Sequence, residues 1–118
     1  MFSLNSSQRY YLYTKPTDMR KSFDGLSGLI TNELGRHPVF GDVYVFVNKR
    51  RTHIKLLHLE PGGFVLHYKR LEKGRLSLPK ITGKSQVVTW SDLVLIIEGI
   101  DPIQVKRKKR YLPTPKSA

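Results

Sequence analysis

The stretch THIKLLHLEPGGFVLHYKR, residues 52–70, decides the fold because it contains two β-prone segments separated by a turn signal. Pro61 and Gly62 occupy the second and third positions of the turn EPGG, as in a type II reversal. We therefore predict an antiparallel hairpin in which Glu60 and Gly63 close the turn. The facing pairs of that register are Leu59 with Phe64, Leu57 with Leu66, Lys55 with Tyr68, Ile54 with Lys69 and His53 with Arg70.

This register brings together two basic clusters that are separate in the sequence. At the end of the hairpin away from the turn we expect Lys49, Arg50, Arg51, Lys55, Lys69 and Arg70, with Lys73 and Arg75 in the loop that follows. Tyr44, Phe46 and Tyr68 interleave with these cations, a combination that suits phosphate pairing and base stacking. We interpret this surface as a nucleic-acid-binding site, and the alternative is an ordinary solvated basic face.

The composition favours an anionic partner. In the 118 residues, 21 Lys and Arg oppose nine Asp and Glu, which gives a net charge of +12. Such a bias is typical of proteins that meet nucleic acid or anionic membranes. The longest apolar run, LVLII at residues 93–97, is too short to span a bilayer, and the N-terminus lacks a secretory pattern. Since there is also no cysteine, we expect a cytoplasmic protein with no membrane partner.

Upstream of the hairpin we predict a strand at RYYLYT, residues 9–14, and then a long N-terminal helix. Thr17 and Asp18 are good helix N-caps, and Gly35 is a suitable stop. Between them, the apolar residues that recur at helical spacing are Met19, Phe23, Leu26, Ile30 and Leu34. DVYVFVN, residues 42–48, is predicted to be a central strand covered on both faces.

The segment TWSDLVLIIEGID, residues 89–101, is ambiguous because its β-branched run also suits a strand. Thr89 and Asp92 have the spacing of a capping box and Gly99 is a suitable C-cap, so we predict a helix. Residues 75–78, in the loop before it, allow one further short strand.

Together these elements predict an α+β domain, in which an antiparallel sheet of about four or five strands packs against the long N-terminal helix, with a short C-terminal helix beside it. The predicted core consists of Phe23, Leu26, Ile30, Val45, Leu57, Leu66 and residues 93–97. We divide the chain into an N-terminal extension (1–8), a single domain (9–101) and a basic arm (102–118).

The arm contains six Lys or Arg, no acid and three prolines, so it carries half of the net charge. We expect it to be disordered, because it has too few apolar residues for a core of its own. The cations predicted to follow a phosphate backbone are Lys106, Arg107, Lys108, Lys109 and Arg110.

Catalytic and metal sites have weak support. Most of the nine carboxylates stand at predicted helix caps, turns or helix edges, where a structural role explains them. No pair of them has a spacing that indicates a catalytic or two-metal site. His58 and His67 flank the same turn, but two imidazoles without cysteine or a matching acid are a weak metal signal. We therefore predict no catalytic residue, no metal and no cofactor, with a small nuclease as the least favoured reading.

Three stretches together resemble a known family: residues 11–30 (YLYTKPTDMRKSFDGLSGLI), 41–76 and 90–101. They are similar to the second-open-reading-frame accessory protein, labelled TnpB, of the bacterial insertion-sequence family sixty-six, which is unrelated to the RNA-guided nuclease of the same label. The first motif contains Asp18, Met19, Arg20, Lys21, Asp24 and Gly25; the others contain Asn48, Lys49, Arg50, Arg51, Lys55, Lys69, Arg70, Leu71, Glu72 and Gly74. His53 and Leu78 depart from the pattern, which often has an acid and an aromatic residue there.

The resemblance implies a role in DNA transposition of a mobile element, beside a larger transposase that carries the catalytic acids. The expected function is a non-enzymatic accessory factor that binds DNA, the transposase or both through the basic surface. The alternative is an adaptor that binds only the transposase.

Overall fold

The predicted hairpin is present, and each expected pair is confirmed from Glu60 with Gly63 to His53 with Arg70. The computed structural model describes residues 4–98. Its elements are β1 (Arg9–Tyr13), α1 (Phe23–Asn32), β2 (Asp42–Val47), β3 (His53–Glu60), β4 (Gly63–Arg70), β5 (Ser85–Val88) and α2 (Trp90–Glu98). The strands form one five-stranded sheet in the order β4-β3-β2-β1-β5, with the hairpin at one edge.

The sheet is mixed, so the prediction of an antiparallel sheet is wrong at its centre. β1 and β2 are parallel and pair Tyr11 with Tyr44, whereas the other neighbouring strands are antiparallel. The cause is the connection through α1, which returns the chain to the end of the sheet where β1 began. That crossover places the C-terminal ends of β1 and β2 side by side.

The two helices cover opposite faces of the sheet. Leu26 and Ile30 of α1 pack on Tyr44 and Phe46, while Leu93 of α2 belongs to the other core cluster. Alternation along β2 explains the division, since successive side chains of a strand point to opposite faces. Every residue of β2 is buried, as predicted for a central strand.

The predicted long N-terminal helix is wrong, because α1 begins only at Phe23 and has 10 residues. Asp18 does not cap it; the Asp18 carboxylate instead accepts a hydrogen bond from the backbone N–H of Arg20 at 2.9 Å, which closes a local turn. Phe23, assigned to the core, is 43% exposed, whereas Leu26 and Ile30 are fully buried as predicted. The apolar spacing therefore located the helical face but not the start of the helix.

The helix predicted near the C-terminus is confirmed, and Thr89 Oγ1 accepts a hydrogen bond from the N–H of Asp92 at 3.1 Å. The short strand allowed at residues 75–78 is absent, and β5 forms at Ser85–Val88 instead. Gly99 and the arm lie outside the described residues. Neither α1 nor α2 has the length and apolar character that crossing a membrane requires.

Candidate functional site

One end of the sheet is lined with cations. β1, β2 and β4 finish there, and β3 and β5 begin there, because of the pairing directions of the strands. β4 and β5 are the two edges, so loop 71–84 must cross this whole end to join them. We call the exposed cations at this end the basic rim: Lys15, Lys49, Arg50, Arg51, Arg70, Lys73, Arg75, Lys80 and Lys84.

The turn between β2 and β3 holds three members of the rim on a rigid backbone. The side-chain oxygen of Asn48 accepts hydrogen bonds from the N–H groups of Thr52 and His53, at 2.8 and 2.9 Å. The N–H of Arg51 donates to the carbonyl of Asn48 at 3.0 Å, and the carbonyl of Arg51 accepts from Leu76 at 2.7 Å. These bonds join the turn to the crossing loop.

Arg51 has φ 59, and it is the one residue other than glycine with positive φ in the described part of the chain. The left-handed conformation costs a side chain such as arginine about 1 kcal/mol, which is why glycine is usual after such a turn. The backbone bonds on both sides of Arg51 hold it in this conformation.

The remaining predicted cations of the hairpin differ in their surroundings. Arg70 is exposed but forms an ion pair with Glu72 at 3.2 Å. Lys69 Nζ donates to the carbonyl oxygen of Ile97 at 2.8 Å, so its ammonium group faces α2 rather than the rim. Lys73 and Arg75 are exposed, and no carboxylate within residues 4–98 forms an ion pair with either.

Lys55 lies inside the protein, which sequence patterning did not indicate. It is 5% exposed, and its Nζ donates to the carbonyl oxygens of Met19 and Lys21 at 2.8 and 2.7 Å. The ammonium group also lies 4.5 Å from the centroid of the Tyr68 ring, within range of a cation–π interaction. Lys55 therefore fastens the first family motif to the sheet and is not available at the surface.

The other residues of the first motif also make local contacts. Asp18 pairs with Arg20 at 2.7 Å, and hydrogen bonds from Arg20 lower the pKa of the carboxyl group to about 2. Asp24 is exposed in the first turn of α1, where its negative charge interacts favourably with the positive end of the helix dipole. A Cβ at Gly25 would lie 3.1 Å from the Lys21 side chain, so glycine permits the close approach of that residue.

A cleft of about 220 Å³ opens in the basic rim between β1, β2 and loop 71–84. Tyr13 and Val47 are buried at its floor, and Pro16, Leu78 and Ile81 add apolar walls. Thr14 and Asn48 add polar groups, and the cations that line it are Lys15, Lys49 and Arg51. Lys15 is also 3.8 Å from Glu33.

Lys15, Lys80 and Lys84 were missed in the sequence as members of this surface. Their position follows from two features that sequence patterning had not predicted. These are the parallel pairing of β1 with β2 and the pairing of β5 with β1. The N–H of Thr14 donates to the carbonyl of Lys84 at 3.0 Å, so β5 brings that lysine to the rim. The five arm cations, Lys106, Arg107, Lys108, Lys109 and Arg110, lie outside the described residues.

His58 and His67 are adjacent on the α2 face, with 3.1 Å between their Nε2 atoms. Their ring centroids are 5.2 Å apart, so the two Nε2 edges point toward each other. Burial lowers the pKa of both imidazoles, which favours the neutral pair that one shared hydrogen bond requires. Within residues 4–98, no three His, Cys, Asp or Glu side chains cluster closely enough to hold a metal ion.

Comparison with known proteins identifies relatives along almost the whole chain. Uncharacterized protein y4jC of Sinorhizobium fredii (strain NBRC 101917 / NGR234) is 30% identical over 106 residues, which cover 90% of this chain and 91% of the relative. Uncharacterized protein y4hO of the same strain is 28% identical over 101 residues, which cover 86% and 88%. No solved structure matches the chain.

The family model described as "IS66 Orf2 like protein" matches residues 8–107, a span that includes both helices and all five strands. The match confirms the resemblance seen in the three sequence stretches. The chain therefore belongs to the IS66 Orf2-like proteins, a family associated with transposition of insertion sequences.

Proposed function

We propose that this protein is a non-catalytic accessory factor of transposition that binds DNA phosphates through the basic rim. The observation that carries the proposal is a group of exposed cations at one end of the sheet that form no ion pair with a carboxylate of residues 4–98. These are Lys49, Arg50, Arg51, Lys73, Arg75, Lys80 and Lys84. Uncompensated cations at one end of a rigid sheet attract a polyanion.

Binding of this kind works through counterion release. Each Lys or Arg that neutralises a phosphate frees condensed cations, so log K falls with log salt at a slope of about 0.9 per phosphate on duplex DNA. The described rim residues lie in loops and at strand ends, and none of them belongs to a helix that could enter a groove, so we propose contacts with the phosphates. The arm predicted at residues 102–118 would add contacts of the same type.

The test is a gel shift at several salt concentrations with duplex DNA. Replacing Arg50 with glutamine should lower affinity and reduce the salt slope by about 0.9, because one phosphate contact is lost. Arg36→Gln is the matched control, since Arg36 is also exposed but lies over the Tyr11 ring, away from the rim. A chain ending at Asp101 measures the contribution of the arm.

Equal effects of Arg50→Gln and Arg36→Gln would show that total charge, and not the rim, accounts for binding. If the full chain does not bind DNA at low salt, direct DNA binding is rejected. The adaptor function would then replace it.

The edge strand β4 favours a second candidate function, contact with the transposase of the same element. Phe64 and Tyr68 are 38% and 56% exposed on β4, whose outer backbone edge has no partner strand in the described sheet. An exposed edge with apolar side chains suits addition of a strand from another protein. Co-purification with the transposase that is lost in Phe64→Ser/Tyr68→Ser, with DNA binding retained, would support this contact.

A further inference from the structure

We infer that the cleft in the basic rim binds one unpaired nucleotide of a DNA strand; this inference rests on the proposed function. The cleft combines the two surfaces that a nucleotide presents. Lys49 and Arg51 supply positive charge at its mouth, while Leu78 and Ile81 supply apolar wall. A phosphate fits the first pair and a base with its sugar fits the second.

The cleft is large enough for one base, with its sugar and phosphate at the mouth, and too small for a double helix. Its volume of about 220 Å³ equals that of about seven liquid waters, at roughly 30 Å³ each. A duplex can rest on the rim around the cleft but cannot enter it. An unpaired nucleotide, whose base is not held by a complementary strand, can reach the floor formed by Tyr13 and Val47.

The backbone of Arg51 is the second observation in favour of this site. A left-handed φ of 59 is unfavourable for arginine, and glycine would adopt it freely. Strained residues of this kind cluster at functional sites, where the surrounding structure holds them. Here the bonds to Asn48 and Leu76 fix the Arg51 backbone at the wall of the cleft, so the arginine side chain starts from a fixed position beside it.

Ile81 supports the same interpretation, because it is 40% exposed and lines the cleft together with Lys49 and Arg51. An exposed aliphatic side chain in a basic surface gains nothing from phosphate contact alone, whereas it packs against a sugar or a base.

The experiment compares binding of the full chain to a blunt duplex and to the same duplex with a short single-stranded overhang of either polarity. The wild-type protein should bind the overhang substrate about fivefold or more tightly, the factor that corresponds to about 1 kcal/mol of base contact. Arg51→Gly should lose this preference, and its thermal midpoint should equal or exceed that of the wild type, because glycine relieves the backbone strain. Ile81→Ser should reduce the preference with no change in charge.

Arg50→Ala is the matched control, since Arg50 is a rim cation that does not line the cleft. It should weaken binding to both substrates by the same factor. The cleft assignment would be overturned if the wild type bound both substrates equally, or if Arg51→Gly kept the preference for the overhang. Either result would leave duplex binding by the rim intact. Failure to bind either DNA would remove the proposed function and the cleft assignment together.

Discussion

The ammonium nitrogen of Lys55 lies 2.7 Å from the carbonyl oxygen of Lys21, and this contact joins the hairpin to the segment that precedes α1. A second bond from the same nitrogen reaches Met19, and the Tyr68 ring covers the group. In a helix that began earlier, the carbonyl groups of Met19 and Lys21 would accept hydrogen bonds from N–H groups four residues later. Here the Lys55 side chain is their donor instead. The contact is one physical reason why α1 begins at Phe23 rather than near Met19.

Replacing Lys55 with methionine should therefore reduce stability and leave DNA affinity unchanged. The variant leaves two carbonyl groups without their donor, which we expect to lower the free energy of unfolding by about 2 kcal/mol. Urea denaturation followed by circular dichroism measures the effect. Lys69→Met is the control, because its single bond to Ile97 is exposed and should contribute less than about 1 kcal/mol. A stable Lys55→Met protein with weakened DNA binding would contradict the structural role.

The Asn48 side chain should be important for the turn that holds the rim. Asn48→Ala removes an acceptor shared by two backbone N–H groups, and we expect a loss of about 1 to 2 kcal/mol in the free energy of unfolding. Asn32→Ala, at the exposed end of α1, is the comparison and should be close to neutral. If the two variants are equally stable, the side chain of Asn48 does not organise the turn.

Two glycines should respond in opposite ways to alanine. Gly62 has φ 96 with open space around it, so Gly62→Ala should destabilise the protein by about 1 kcal/mol through backbone strain alone. Gly28 lies inside α1, and a Cβ there would meet nothing closer than Asn32 at 3.9 Å. Gly28→Ala should therefore stabilise by up to about 1 kcal/mol. Thermal unfolding of both variants checks the signs, and a destabilised Gly28→Ala protein would indicate a contact of α1 that the structure does not show.

The His58 and His67 pair predicts a pH dependence of stability. Burial lowers the pKa of both imidazoles from the ordinary value of 6.5, so the unfolded chain binds protons more readily than the folded one. The free energy of unfolding should then fall as pH decreases below about 6.5, by at most about 1.4 kcal/mol per pH unit for each proton. Above about pH 6.5 the two neutral imidazoles no longer reduce the free energy of unfolding.

Urea denaturation between pH 7.5 and about 5 measures this slope, a range that lies above the window of carboxylate titration. His67→Gln should make it shallower, because it removes one titrating group while keeping a hydrogen-bonding side chain near His58. His37→Gln, which removes an exposed imidazole, is the control. A slope unaffected by His67→Gln would assign the pH dependence to other groups.

Local sequence chemistry determined the hairpin and the final helix. Pro61 and Gly62 specify one type of reversal, and that turn sets the register of every pair down to His53 with Arg70. Thr89 supplies a cap three residues before Asp92, which settles the choice between strand and helix for residues 90–98. These signals act over a few residues, so they can be read without knowledge of the rest of the chain.

Contacts between distant segments decided the remainder. Three features each join residues that are far apart in the chain. They are the parallel pairing of Tyr11 with Tyr44, the burial of Lys55 beneath Met19 and Lys21, and the route of loop 71–84 across the end of the sheet. Composition established that this protein is strongly basic. Only the tertiary structure separated the cations of the rim from Lys55 and Lys69, because the fold decides which backbone carbonyls an ammonium group can reach. Lys55 is buried against two of them, and the exposed Lys69 bonds to the carbonyl of Ile97.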